Sequence, residues 1–209
     1  MTTATIPAPA PPLVEEPPAE WHRFTLDDYR RMGELGLLLP SDRVVLLDGL
    51  LVKKMTKETR HVTTTHQIFV TLLGLMPAGW FPRKEDPVEI RGGPRGDSAP
   101  EPDLAVIAGK NSDYKRRNPA PADVRLIVQV ADTTLAFDRK GLARFARVGI
   151  PSAWIVNLVN ETIEVYSEPS GDVAEPAYAK VEVKGVGEVV AITLDGTAVG
   201  PIRVEDLLA

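Results

Sequence analysis

Asp103 stands where a carboxylate can act as a ligand. It follows Pro102 and opens the apolar run Leu104 to Ile107, so a strand would carry its side chain at one end. The next long apolar run, Val124 to Ala131, reads as a central strand buried on both faces, yet it contains Gln129. A desolvated amide must find hydrogen-bond partners, which singles that glutamine out. Lys140 precedes Arg144 and Arg147 at i, i+4 and i+7, opposite a helical stripe of Leu142, Phe145 and Ala146. That spacing gives either a solvated basic face or one turned to a nucleic-acid backbone. Each residue also has an ordinary explanation, since an acid at a strand start is commonly a solvated end or a turn former.

The remaining chemistry-bearing types narrow quickly. The chain has no cysteine, which excludes disulfides, thiolate zinc sites and cysteine nucleophiles. His61 and His66 are five apart, the wrong spacing for a metal pair on one helix face, and read as capping or surface residues. Two basic groups, Lys53, Lys54, Lys57 and Arg60, and Lys115, Arg116 and Arg117, are solvated surface by default and phosphate-facing patches otherwise.

The elements that must position these residues follow from pattern. Met1 to Glu20 is rich in Pro and Ala and reads as a disordered tail; residues 21–209 read as a single domain. Thr25 with Asp28 caps a helix running to about Leu35. Val44 to Val52 around Asp48-Gly49 is a tight β-hairpin. Val62 to Met76 has helical spacing and stops at Pro77, with Arg60 and His61 just before it. Strands are expected at Asp86 to Ile90, Leu104 to Ile107 and Val124 to Ala131, then a helix over Asp138 to Val148. A hairpin pairs Ser152 to Leu158 with Thr162 to Tyr166, short strands continue to Val199, and a helical turn closes near Val204 to Leu208. The class is α+β with a mixed central sheet flanked by helices.

Bulk composition bounds the function. Apolar residues form 44% and charged residues 25% of the 209, ordinary for a globular chain. A net charge of −5 argues against a protein that coats nucleic acid, because such binders neutralise many phosphates, although a local basic patch would still serve a short contact. No apolar run approaches the ~18 residues of a membrane span, and no secretory leader is legible, so a cytoplasmic location is the expectation.

Four segments carry a resemblance. Glu101-Pro102-Asp103-Leu104-Ala105-Val106-Ile107, Leu126 to Thr134, the Asp138-Arg139 pair and Gly149-Ile150-Pro151-Ser152-Ala153-Trp154-Ile155-Val156-Asn157 resemble the Uma family of restriction endonucleases, in the PD-(D/E)XK nuclease superfamily. The opening helix, Leu47-Asp48-Gly49 and Arg60-His61 fit it too, so the resemblance spans roughly residues 21–200. It implies a restriction-endonuclease-like fold, DNA as substrate or ligand, and carboxylates at adjacent strand ends holding Mg²⁺, which takes hard oxygen ligands. The ion would activate water and neutralise charge on the phosphate while a lysine assists. Homodimerisation would let such a fold reach both strands of a duplex.

The sequence departs from that pattern at three places. The first glutamate position falls on Val45, and the central-strand glutamate on Gln129, which offers a neutral carbonyl oxygen. The lysine position falls on Lys140 or Gly141, because Asp138 to Phe145 is one residue short. Asp138 and Glu101 could approach Asp103 from loops; Asp132 falls on the opposite face by strand parity. The resemblance therefore implies a Mg²⁺-dependent DNA endonuclease with a degenerate metal site, Asp103 and Gln129 as its ligands and Lys140 as charge stabiliser. The alternative is a catalytically inactive pseudo-nuclease kept to bind DNA or protein.

Overall fold

A six-stranded mixed sheet, ordered β3-β4-β5-β6-β7-β8, forms the centre of the computed structural model, which describes residues 21–208. The expected tail, residues 1–20, lies outside the described residues. The strands are β3 (Trp80–Lys84), β4 (Leu104–Ala108), β5 (Val124–Ala131), β6 (Ser152–Asn157), β7 (Thr162–Pro169) and β8 (Tyr178–Gly185). Neighbours run antiparallel except β5 and β6, which are parallel and joined by α3 (Leu135–Arg147). A parallel pair needs such a crossover, because a tight turn cannot return the chain to the same end of the sheet.

Alternation sorts the sheet residues into two layers. On one face Leu104, Val106, Leu126, Val128, Val130, Trp154 and Val156 pack with Ile68 and Leu72 of α2 (Thr59–Leu75). A second hairpin, β9 (Val189–Leu194) with β10 (Thr197–Arg203), and the closing 3₁₀ turn Val204–Leu207 cover that same face. On the other face Ala105, Ile107, Ile127, Ala153 and Ile155 meet Leu142, Phe145 and Ala146 of α3. These three helical residues are the stripe read from the sequence, and they are buried as expected.

A smaller unit stands outside the sheet. α1 (Leu26–Glu34) starts at Thr25, whose side chain and that of Asp28 close a reciprocal capping box. It packs on β1 (Val44–Leu47) and β2 (Leu50–Lys53) through Leu26, Leu46 and Leu51. Asp48 and Gly49 both have positive φ, 51° and 76°, as the tight turn requires. That turn is tied on both sides: Phe24 N–H donates to Gly49 O at 2.9 Å, and Gly49 N–H donates to Asp97 O at 2.8 Å. Asp48 N–H donates to Ser98 Oγ at 2.8 Å. A Cβ on Gly49 would lie 2.5 Å from Arg23 Cβ, so the approach as well as the dihedral demands glycine.

Three differences from the sequence expectation bear on where polar residues fall. The strand expected at Asp86 to Ile90 lies instead at Trp80–Lys84; the later segment makes only a bridge between Ile90 and Ser98. Pro82 is tolerated because β3 is an edge strand, where a missing N–H costs no ladder bond. α2 begins three residues early, so Arg60 and His61 lie in its first turn rather than before it. α3 also begins three residues early, which carries Asp138 into its first turn.

Candidate functional site

Register brings Asp103 and Gln129 together. Leu104 pairs with Val128, so the residue before β4 lies beside Gln129 on the α3 side of the sheet. Asp103 N–H donates to Gln129 Oε1 at 3.2 Å. The glutamine oxygen is thus spent on the backbone of the acid it was expected to assist. This explains how a buried strand carries an amide: its acceptor has a partner.

Asp103 is buried, 6% exposed, and both oxygens of its carboxylate are engaged. Oδ2 accepts from Val130 N–H at 2.8 Å and lies 3.2 Å from His61 Nε2. Oδ1 accepts from Lys57 Nζ at 2.6 Å. Lys57 Nζ also lies 3.2 Å from Glu85 Oε1. Burial alone would raise the pKa of Asp103, but the His61 hydrogen bond and the Lys57 ammonium outweigh it and hold the carboxyl below its ordinary range. Lys57 mirrors this. Partial burial disfavours its charge, while Asp103 and Glu85 more than compensate and raise its pKa. Asp103 and Lys57 form a charged pair.

Four residues of this arrangement come from separate parts of the chain. Lys57 lies in the stretch between β2 and α2, and His61 in the first turn of α2. His61 is positioned further by Thr65, whose hydroxyl donates to His61 O at 2.8 Å and lies 3.4 Å from Nδ1. Glu85 follows β3; its N–H donates to Asp103 O at 3.2 Å, and its φ of 57° is uncommon for a residue with a Cβ. Asp138 sits in the first turn of α3 and accepts from the Thr134 hydroxyl. Desolvation chiefly, with a contribution from the Asp103 charge, pushes its carboxyl up to about 6, against the hydrogen bond from Thr134 and the pull of His61.

Other expected participants lie elsewhere. Lys140 is exposed on α3 and makes no ion pair with Asp103; the lysine there is Lys57. Glu101 pairs with Lys54 at 2.7 Å and lines a cleft of about 620 Å³ with Tyr29, Arg30 and Glu89. Val45 is buried in β1. His61 is neither a cap nor a surface residue, because α2 starts early enough to aim it at Asp103. The first basic group is internally spent on Glu101, Asp103 and Glu161 through Lys54, Lys57 and Arg60. In the second, Arg117 pairs with Asp123 and stacks 4.7 Å over Tyr114, while Lys115 and Arg116 stay exposed. Among the described residues no three His, Asp or Glu side chains converge on a common metal position.

A search of curated proteins finds no match. A crystal structure described as a putative nuclease belonging to DUF820, from Anabaena variabilis ATCC 29413, superposes with a TM-score of 0.60 at 15% identity. The match covers 88% of this chain and 97% of that one, and shows a shared fold. No helix among the described residues is long and apolar enough to cross a membrane. The family model Uma2, described as "Putative restriction endonuclease", matches residues 26–197, and the chain belongs to that family.

Proposed function

We propose that this chain is a nuclease-family domain that binds DNA without metal-dependent cleavage. The carrying observation is the donor set at Asp103. Mg²⁺ needs several hard oxygen ligands in near-octahedral array. Here the oxygen of Gln129 is committed to a backbone N–H, and the residue at the first glutamate position is valine. One oxygen of Asp103 already holds a lysine ammonium and the other a backbone N–H. This set does not fit Mg²⁺. The surface supports contact with a phosphate backbone at Lys115 and Arg116, exposed and without ion pairs among the described residues. Such contacts give salt-dependent, sequence-tolerant affinity. A second copy of the chain would extend the contact to both strands.

One observation favours a second reading, a Mg²⁺-dependent endonuclease with a weakened site. Asp138 lies close enough to Asp103 to feel its charge, and it supplies the kind of second carboxylate such a site needs. Two measurements on one preparation separate the readings: anisotropy of a labelled duplex, and nicking of supercoiled plasmid with Mg²⁺ or Mn²⁺. Binding that weakens with salt and with Lys115→Ala/Arg116→Ala, without nicking, is the expected result. Nicking abolished by Asp103→Ala overturns it in favour of the enzyme. Absence of both binding and nicking overturns the DNA-binding reading. Val45→Glu with Gln129→Glu is expected to move the chain toward cleavage.

A further inference from the structure

We propose that Lys57 is the resident cation of the Asp103 site, an ammonium built into the chain that occupies the place of a divalent ion and keeps such ions out. The inference deepens the functional reading above and rests on it. Two carboxylates from neighbouring strand ends converge on Lys57 Nζ, Asp103 at 2.6 Å and Glu85 at 3.2 Å. Convergence of acids from adjacent strand ends on one positive charge is what a metal would require; here the charge belongs to the protein. Glu85 is held for this by its backbone, since its N–H continues the β3–β4 pairing onto Asp103 O.

Oδ1 of Asp103 is where a cation can add, because Oδ2 already meets Val130 N–H and His61. Lys57 therefore competes for the same oxygen as any incoming ion. The competition is unequal. A side chain tethered by a short loop acts at an effective concentration of roughly millimolar or above, whereas Mg²⁺ must shed tightly held water to bind. The loop is also anchored: Lys54, earlier in the same stretch, is fixed to Glu101 at 2.7 Å. Lys57 is thus an electrostatic filler that completes the site and acts on no substrate atom.

Removing the ammonium while keeping a polar side chain should expose the carboxylate pair. Lys57→Gln in the full chain is expected to bind Mn²⁺ at least about tenfold tighter than wild type, as free Mn²⁺ seen by paramagnetic resonance, by the tethered-competitor argument. Its melting temperature should rise with Mn²⁺ while that of the wild type does not. Lys57→Gln/Asp103→Asn should lose both effects. A Lys57→Gln variant that takes up no more Mn²⁺ than wild type overturns the inference, as does wild-type uptake that Asp103→Asn abolishes. In case Lys57→Gln folds poorly, the wild type itself carries the test through the ammonium resonance of Lys57. That signal should be protected and unbroadened by Mn²⁺, and broadening at low Mn²⁺ sinks the idea. An inert, DNA-binding wild type with no gain in Lys57→Gln removes this inference alone; a wild type that nicks DNA with Mg²⁺ removes both readings.

Discussion

Asp103 and Glu164 are two buried acids on one row of the sheet, and they are satisfied in different ways. Pairing runs from Asp103 beside Gln129, across Ile155, to Glu164 on β7. Both side chains are below a tenth exposed, and consecutive residues near the start of α3 bear on both, Asp138 feeling the charge of Asp103 and Arg139 pairing with Glu164. Glu164 is gripped by the forked guanidinium of Arg139, with Nε at 3.0 Å, and by the Tyr166 hydroxyl at 2.6 Å. Its partners stand on a helix and on its own strand, in the bidentate geometry that fixes position as well as charge. Asp103 has instead a point-charge lysine from a loop, an imidazole and one backbone N–H. Burial is therefore alike at the two acids, and the geometry of their partners is what differs.

Three measurements sharpen or break that contrast. Arg139→Ala should cost most, about 2 kcal/mol in denaturant unfolding, because it leaves the buried Glu164 without its cation, a figure reduced because the Arg139 side chain is half exposed and the Tyr166 hydroxyl remains. Lys57→Gln should cost about 1.5 kcal/mol, since His61 and the Val130 N–H still serve Asp103 and the amide still donates. If Lys57→Gln proves as costly as Arg139→Ala, the two acids are held alike and the distinction fails. Asp138→Asn should have the smallest effect and the opposite sign. The native carboxyl holds its proton up to about 6 against an ordinary 3.8, so its contribution to stability declines as pH rises through that window and stays lost above it. Asn should remove the decline and add about 1 kcal/mol at pH 7, a figure reduced for partly wet surroundings. A pH profile of stability unchanged by the substitution would show that Asp138 is not pressed by burial and Asp103.

Much of the scaffold was legible because its signals are local. The Thr25–Asp28 cap, the Asp48-Gly49 turn, the α3 stripe and the apolar β4 and β5 all formed where pattern placed them. Gln129 stood out because an amide in a buried strand needs an explanation, although its partner proved to be the Asp103 backbone. Lys57, His61 and Glu85 were not legible as neighbours of Asp103. Lys57 lay within a basic run that looks like solvated surface, and its burial against Asp103 depends on where a loop folds. Glu85 was not legible because the strand was expected at Asp86 to Ile90, after it, whereas the pairing that sets Glu85 beside Asp103 continues from Trp80–Lys84. His61 needed only an earlier start to α2, a boundary that propensity alone fixes poorly.

The Asp48-Gly49 turn has a reach beyond its own hairpin. β1 and β2 share no ladder with the six-stranded sheet; they are held by that turn, between Phe24 and Asp97 with Ser98, by the Ala99 N–H bond to Leu46 O and by the Arg144–Asp48 ion pair to α3. Lys57 hangs just past the end of β2, while Asp103 is rooted in the sheet. The ion pair between them therefore ties the stretch that follows the hairpin directly to the start of β4, at a point the hairpin's own backbone bonds do not reach. A side chain at Gly49 would collide with Arg23 and strain that mooring, although Gly49 touches no group that binds Asp103.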